Sequence, residues 1–212
     1  MKIVFAFLCL SVFLIGTALA GDPDMLQDLC VADLASAVKV NGFVCKAKAN
    51  ATDFTTMALK FPGNTNNKLG SLVTAANVMQ VPGLNTLGVS MARIDYAPGG
   101  LNPPHTHPRA TEMVFVLEGQ LDVGFITTAN VLIATTIKKG EVFVFPRGLL
   151  HFQMNNGHFP AAVIAGFNSQ LPGTQQAAAA LFNATPPVPD DVLAKAFQIG
   201  VVDVEKIKMN LK

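Results

Sequence analysis

The feature that most constrains this chain is a series of short β-rich runs between about residue 86 and residue 167, each ended by glycine, proline or polar residues. In the first run Leu87, Val89 and Met91 alternate with small residues, and the run stops at Pro98-Gly99-Gly100. Strands of this length with tight turns between them are typical of an antiparallel barrel or sandwich. The further predicted strands cover residues 112–117, 121–127, 131–137, 142–145, 151–154 and 161–167.

The segments after Pro172 have helical patterns instead. Residues 175–182 are rich in alanine, and Asp190-Asp191 precede an apolar run that stops before Gly200. Acidic residues at the start and glycine after the end are typical of a helix. Asp203 is expected to cap a last helix that ends at Leu211.

The residues before the strands are irregular, with turns at Pro62-Gly63-Asn64 and Pro82-Gly83. The sequence therefore predicts an all-β fold with C-terminal helices in one domain, residues 21–212. Within it we expect an N-terminal arm and first strands over 21–85, a barrel core over 86–170 and a helical extension over 171–212.

The first twenty residues are expected to be a signal peptide. Lys2 precedes an apolar run over 3–15, and Ala18-Leu19-Ala20 forms a small-x-small cleavage site. The alternative, a membrane anchor, is disfavoured because the run is short and no stop-transfer charges follow it. Cleavage after Ala20 would leave 212 − 20 = 192 residues of a secreted protein.

The charge balance gives no sign of a nucleic-acid partner. The chain has 15 Lys and Arg against 14 Asp and Glu, and removing Lys2 leaves 14 against 14. This balance does not suggest a nucleic-acid partner or electrostatic binding to a membrane surface. No second apolar run is long enough to span a bilayer. The mean hydropathy of +0.41, partly due to the signal peptide, favours an oligomer that buries apolar surface.

Two features follow from an oxidising, extracellular location. Because Cys9 leaves with the signal peptide, Cys30 and Cys45 are the remaining pair of cysteines and are expected to form a disulfide, the alternative being two buried free thiols. The sequons at Asn50-Ala51-Thr52 and Asn183-Ala184-Thr185 are candidate N-glycosylation sites.

Two compact motifs contain three of the four histidines. In the first, His105 and His107 are two residues apart, so on an extended segment they point to the same side. Glu112 opens the next run and can bring its carboxylate back beside them. The second motif, around Pro146 and Gly148, supplies His151 from a distant strand.

Three neutral imidazoles and one carboxylate form a ligand set for a divalent first-row metal. A tetrahedral zinc site would accept it, as would octahedral manganese or iron with two open positions for a small ligand. A single histidine on a strand is usually an ordinary polar side chain, so the prediction depends on both motifs together. His158 lies outside both motifs and is interpreted as a loop residue.

These segments match the two cupin motifs, G-x5-H-x-H-x3,4-E-x6-G from Gly99 and G-x5-P-x-G-x2-H-x3-N from Gly140. Nearly the whole chain also resembles plant germins and germin-like proteins. The segments that carry this resemblance are Asp22-Pro23, Leu26-Gln27-Asp28, Cys30-Val31-Ala32-Asp33, Asn85-Thr86-Leu87-Gly88-Val89-Ser90, Pro103-Pro104, His107-Pro108-Arg109-Ala110-Thr111-Glu112 and Phe167-Asn168-Ser169-Gln170.

The resemblance implies an apoplastic glycoprotein of the cell wall with a cupin (jelly-roll) β-barrel. It implies that dimers assemble into a hexamer, a trimer of dimers, with C-terminal helices clasping neighbours. It also implies a disulfide between Cys30 and Cys45. The implied cofactor is one manganese per subunit, held by His105, His107, Glu112 and His151.

Among the activities known in the family, the sequence favours superoxide dismutase over oxalate oxidase. Two asparagine amides orient oxalate in the germins that oxidise it. Asn102 keeps one of them as a candidate substrate contact, whereas Ala92 stands at the other position. An unpaired buried substrate oxygen costs roughly 1–3 kcal/mol. Dismutation asks only for a metal that cycles between two oxidation states and an open position for a small anion such as superoxide.

Other interpretations stay open. A non-enzymatic structural or receptor-like binder in the apoplast, with the metal serving stability, is the alternative interpretation; no residue points to phosphodiester hydrolysis. Gln153 and Asn155 are candidates for groups that support the ligands, although both also suit ordinary strand positions. The residues alone do not distinguish manganese from iron or zinc, and a role in plant defence is only what the resemblance implies.

Overall fold

A computed structural model of the protein describes residues 27–39 and 42–211, so the predicted signal peptide lies outside the described residues. As predicted, the strands come first and the α-helices follow them, and two short 3-10 helices cover Ala51–Phe54 and Pro82–Leu84. Helix α1 covers Ala177–Phe182, α2 covers Asp190–Phe197 and α3 covers Val201–Leu211. The strands are β1 Ser71–Ala76, β2 Ser90–Tyr96, β3 Leu101–Thr106, β4 Glu112–Glu118, β5 Gln120–Ile126, β6 Leu132–Lys138, β7 Val142–Phe145, β8 His151–Met154, β9 Ala161–Phe167 and β10 Gln175–Gln176.

The strands form two five-stranded antiparallel sheets. One has the order β1-β2-β9-β4-β7 and the other the order β10-β3-β8-β5-β6, so neighbours in space are often distant in sequence. The main apolar core includes side chains from both sheets, such as Ile94, Val114, Val123 and Val163. The prediction of an all-β fold with C-terminal helices is confirmed.

Strand β4 shows why these residues form strands with one face in the core. Val114 and Val116 are buried, whereas Met113 and Phe115 between them are exposed. This alternation has the two-residue period of a strand. Burying a valine side chain contributes about 1.5–3 kcal/mol, so the pairing register of β4 is held by its inward face.

Strand β3 contains a bulge that decides the geometry of the histidine motif. Its pairing with β8 aligns Asn102 with Gln153 and then His105 with His151, so β3 has one extra residue between the two pairs. Pro103 and Pro104 lie in this stretch, and neither has a backbone N–H that could donate a hydrogen bond to a neighbouring strand. Because of the extra residue, His105 rather than Pro104 lies opposite His151.

Three predicted boundaries are corrected by the structure. Strand β2 begins at Ser90 and not near residue 87, because Thr86 and Gly88 adopt positive φ angles of 69° and 67°. Residues 175–176 form β10, which pairs with β3, so the alanine-rich helix begins only at Ala177. Helix α3 begins at Val201, and Asp203 lies in its first turn instead of capping it.

The arm is held against the barrel, and the helices form a small core of their own. Cys30 and Cys45 form a disulfide, in agreement with the sequence prediction, and an isolated bridge pairs Ala32 with Cys45. The helices pack around buried side chains from α1, α2 and α3, namely Phe182, Leu193 and Val204.

Both predicted glycosylation sites lie on the surface. Asn50 and Asn183 have exposed side chains, and the Nδ2 atom of Asn183 lies 3.4 Å from the carbonyl oxygen of Leu211. Attachment of glycan at either residue stays a prediction. Among residues 27–39 and 42–211, each helix is too short or too polar to cross a lipid bilayer.

Candidate metal centre

Four side chains from both sheets meet between the sheets. His105 lies near the end of β3 and His151 begins β8, so these two are neighbours in one sheet. Glu112 begins β4 in the other sheet, and His107 lies in the connection between β3 and β4. All four are buried, with exposed fractions between 1% and 5%. The structure therefore brings together every residue of the predicted ligand set.

The potential ligand atoms of these side chains all lie within 4.8 Å of one another. The Oε2 atom of Glu112 lies 3.0 Å from the Nε2 atoms of both His107 and His151. The imidazole centroids of His105 and His151 are 4.1 Å apart. Ligand atoms about 2.1 Å from one ion lie at most about 4.2 Å apart, so only small shifts would seat all four on one ion.

A backbone carbonyl orients each imidazole. The Nδ1 atom of His105 donates to the carbonyl of Pro103 over 2.8 Å, and that of His151 donates to the carbonyl of Leu149 over 2.8 Å. His107 donates in the same way to the carbonyl of Gly173. Since a carbonyl can only accept, the proton of each neutral ring is at Nδ1, and the Nε2 lone pair is available to a metal.

With this tautomer, the contacts between the imidazoles and Glu112 are favourable only when a metal cation or additional protons are present. Two Nε2 lone pairs would face the same carboxylate oxygen of Glu112 at 3.0 Å, and three acceptors in one buried place repel each other. Protonated rings would relieve the repulsion, and a divalent cation does so while keeping all three rings neutral. The residues present therefore fit a metal ion.

The pKa values of the site favour the metal-binding forms. Burial, and the nearby ring of His151, lower the pKa of His105 to about 4. Burial by itself would raise the pKa of Glu112, but in the metal-free site hydrogen bonds from His107 and His151, which donate from Nε2 only when these rings are protonated, lower it to about 2. At neutral pH, His105 is therefore neutral and Glu112 is ionised, which are the forms that bind a divalent metal.

A buried polar network connects Glu112 to the neighbouring strands. Oε1 of Gln153 accepts hydrogen bonds from Nδ2 of Asn102, at 2.7 Å, and from the hydroxyl of Tyr96, at 3.3 Å. Nε2 of Gln153 lies 3.5 Å from Oε1 of Glu112. Gln153 therefore has the supporting contact that the sequence suggested.

A pocket with a volume of about 420 Å³ opens beside three of the four candidate ligands. Asn102 lines it together with His105, His107 and Glu112. Ala92 also lines it. This is the position at which the resemblance gives oxalate-oxidising germins an asparagine. The remaining walls are mostly apolar and include Val73, Ala75, Ile94 and Phe167.

Comparison with known proteins supports a family assignment. Residues 57–205 match the family described as Cupin. Germin-like protein 1-1 of Oryza sativa subsp. japonica is 71% identical over 199 residues, which cover 94% of this chain and 92% of the relative. The chain belongs to the cupin family, and within it to the germin-like proteins.

Two further matches are similarly extensive. The rhicadhesin receptor of Pisum sativum is 74% identical over 187 residues, covering 87% of this chain and 86% of the relative. A solved structure of recombinant oxalate oxidase in complex with glycolate superposes with a TM-score of 0.86 at 47% identity. That match covers 90% of this chain and 98% of the other. The cupin (jelly-roll) fold implied by the sequence motifs is confirmed.

Of the two residues considered as supports for the ligands in this germin-like protein, Asn155 has a different role. Asn155 does not support the ligands, because its side chain donates to the carbonyls of Ala97 and Phe159 and accepts from the amide of Gly157. It fixes the loop after β8 instead. His158 in that loop is exposed, as interpreted from the sequence.

Sequence reasoning missed two residues near the ligands. Tyr96 is buried and reaches Gln153, and burial together with the charge of Glu112 raises its pKa well above the usual value. Gly173 holds the ring of His107, although 66 positions separate the two residues. The sequence marked Pro172 as the point where the pattern changes, but nothing local indicated which side chain the carbonyl of Gly173 would contact.

Proposed function

We propose that this chain is a secreted, manganese-binding germin-like protein that dismutes superoxide to hydrogen peroxide and dioxygen in the plant cell wall. The observation that carries the proposal is the convergence of three carbonyl-oriented imidazoles and one buried carboxylate beside an open pocket. The similarity to plant germin-like proteins supports it. Peroxide made in the wall would suit a role in defence.

His105, His107, Glu112 and His151 would hold the manganese, which when bound supplies reversible one-electron chemistry. Three neutral ligands and one anion leave positive charge at the centre, which favours a small anion in the pocket. Asn102 lines the pocket close to the ligands and can orient such an anion. The same donors accept iron or zinc, and zinc would not support redox chemistry.

Oxalate oxidase is a less favoured alternative. The solved oxalate oxidase supports it, at 47% identity. However, Ala92 on the pocket wall has no amide to donate. A buried substrate oxygen without a partner costs about 1–3 kcal/mol, which lowers turnover or affinity roughly tenfold to a hundredfold.

A second candidate function comes from a different class. The 74% identity to the rhicadhesin receptor favours a receptor-like binding protein of the wall, with the metal serving stability. In that case the metal centre would be loaded but inert toward superoxide. The two functions therefore predict different superoxide turnover but the same metal content.

The proposed location and assembly rest on separate features. The predicted signal peptide and the disulfide between Cys30 and Cys45 both suit an extracellular protein. Exposed apolar side chains on the outer face of the β1-β2-β9-β4-β7 sheet support a homo-oligomer, for which we propose the hexamer implied by the resemblance. These side chains include Met91, Met113, Phe115, Val142 and Val144.

The test compares metal content and superoxide turnover in the protein secreted by plant cells. We expect about one manganese per subunit, dismutase activity that a chelator removes, and recovery with manganese but not with zinc. Glu112→Gln should lose metal and activity. Glu118→Gln, at the exposed far end of β4, is the matched control and should keep both.

Two outcomes would contradict the proposal in different ways. A manganese-loaded protein without superoxide turnover would favour the receptor-like function. A native protein that contains zinc, or no metal, would reject manganese redox chemistry altogether.

A further inference from the structure

The connection between β9 and β10 contacts the metal centre through its backbone. We call residues 168–173 the strap. Its five consecutive carbonyls from Ser169 to Gly173 each accept a hydrogen bond from outside the strap. The donors, in order, are the side chain of Ser90, the amide of Val78, the side chain and the amide of Arg109, and the ring of His107.

One end of the strap is fixed beside the candidate ligands. Arg109 donates its Nε to the carbonyl of Leu171 over 2.7 Å and its backbone amide to the carbonyl of Pro172 over 3.2 Å. Gly173 has a φ of +70°, and a Cβ there would lie 2.7 Å from the guanidinium of Arg109. The positive φ favours glycine at this position, and the carbonyl of Gly173 accepts from Nδ1 of His107.

The other end is fixed by the side chain of Gln170. Its Nε2 donates to Oδ1 of Asn85 over 3.1 Å, and its Oε1 accepts from the amide of Thr86. Thr86 has a φ of 69°, which a β-branched residue rarely adopts. Such strain persists only where surrounding contacts hold the backbone, so the side chain of Gln170 holds a tightly determined turn.

Asn85 extends this network to the N-terminal arm. It is 1% exposed, and its Nδ2 donates to the carbonyl of Phe43 over 2.9 Å and lies 3.3 Å from Sγ of Cys30. A continuous series of contacts therefore runs from the disulfide through Asn85 and Gln170 to the strap. It ends at the ring of His107.

We propose that Gln170 is a positioning residue for the metal centre: it anchors the strap whose Gly173 carbonyl orients the imidazole of His107. The proposal rests on the proposed metal site. It also gives a function to the Asn85-Thr86 and Asn168-Ser169-Gln170 segments, which the ligand set by itself does not use. Loss of the anchor lets the strap shift, so His107 binds metal in a less favourable orientation.

The experiment measures release of manganese into excess chelator and the visible absorption spectrum of the cobalt-substituted protein. Groups that orient a metal-bound histidine typically change metal affinity 10–100-fold when lost. We expect Gln170→Ala to release manganese about 10–100 times faster than wild type and to alter the cobalt spectrum. Gln170→Glu keeps an oxygen for Thr86 but loses the donor to Asn85, so its release rate should be intermediate.

Asn155→Ala is the matched control. Asn155 is 0% exposed and also fixes a connection with its side chain, but it contacts none of the four ligands. It should lower thermal stability as Gln170→Ala does and keep the wild-type release rate and cobalt spectrum. If Gln170→Ala does not fold, Gln170→Glu against the same control still decides the question.

Three results would overturn the inference. Both Gln170 variants could release metal at the wild-type rate, or Asn155→Ala could accelerate release as much as Gln170→Ala, which would show general loosening. In both cases wild type still binds metal, and the proposed function stands. A wild-type protein that binds neither manganese nor cobalt would overturn the proposed function together with this inference.

Discussion

Asn102 donates its side-chain amide to Oε1 of Gln153 over 2.7 Å, from directly opposite positions on β3 and β8. Both side chains are buried. The amide that would orient a substrate in the pocket is therefore already oriented by the protein. Ala92, which lines the same pocket, offers only a methyl group.

A single substitution tests whether Ala92 limits the chemistry of the pocket. Ala92→Asn should raise kcat/KM for oxalate about 10–100-fold, because it restores one buried hydrogen bond worth about 1–3 kcal/mol. The measurement is oxalate-dependent peroxide production by the manganese-loaded protein. Binding of glycolate, which the related oxalate oxidase holds in its solved structure, gives a second readout.

The control for this prediction is Ala75→Asn. Ala75 lies directly opposite Ala92 on β1 and lines the same pocket. The substitution Ala75→Asn adds the same amide group at a neighbouring position on the pocket wall. If the two variants gain oxalate turnover equally, or neither gains any, then the identity of residue 92 does not explain the difference in activity.

Gln153 should contribute strongly to the stability of the barrel. Gln153→Leu leaves the Tyr96 hydroxyl and the Asn102 amide buried without their acceptor, at about 1–3 kcal/mol each, so the free energy of unfolding should fall by about 3 kcal/mol. Tyr96→Phe removes a single hydrogen bond and should cost about 1 kcal/mol. Denaturant unfolding in the presence of chelator measures both.

Gln120→Leu is the comparison for that series. Gln120 begins the adjacent strand β5 and is exposed, so its replacement should change stability by less than about 0.5 kcal/mol. A loss for Gln153→Leu no larger than that for Gln120→Leu would show that the buried network adds no stability.

The ligands of the site could be predicted from sequence because their spacing is short and their residue types are unusual. His105 and His107 share a side at a spacing of two, and Gly and Pro stops delimit the strand that begins at His151. The same punctuation predicts seven of the ten described strands, whereas β1, β3 and the short β10 are not predicted as strands. These patterns lie within short stretches of sequence, so they can be recognised without knowing which distant segments are in contact.

What the sequence could not supply depends on contacts between distant segments. Nothing local distinguishes Gln153, which contacts Glu112, from Asn155 two positions later, which fixes a loop. The bulge in β3 becomes apparent only through its pairing with β8. The carbonyl of Gly173 accepts a hydrogen bond from the ring of His107 because β10 pairs with β3 and brings the two segments together.

The outer face of the first sheet gives a prediction about assembly. Met113 on β4 lies between Gly166 of β9 and Val144 of β7, and its side chain is 54% exposed. If copies of the chain bury this face, Met113→Glu places a charge in the contact and should convert the oligomer into smaller species. Light scattering after size-exclusion chromatography measures the mass.

Gln120→Glu adds a charge at an exposed position of the other sheet and should leave the mass unchanged. Circular dichroism shows whether each variant keeps its strands. An oligomer of unaltered mass in Met113→Glu would place the subunit contacts elsewhere on the molecule.

The most direct test of the account is anomalous diffraction from crystals of the native protein, recorded on both sides of the manganese absorption edge. The account predicts one manganese peak per subunit, about 2–2.5 Å from Nε2 of His105, His107 and His151 and from a carboxylate oxygen of Glu112. A peak at that point from a metal other than manganese, or manganese bound only elsewhere, would contradict it.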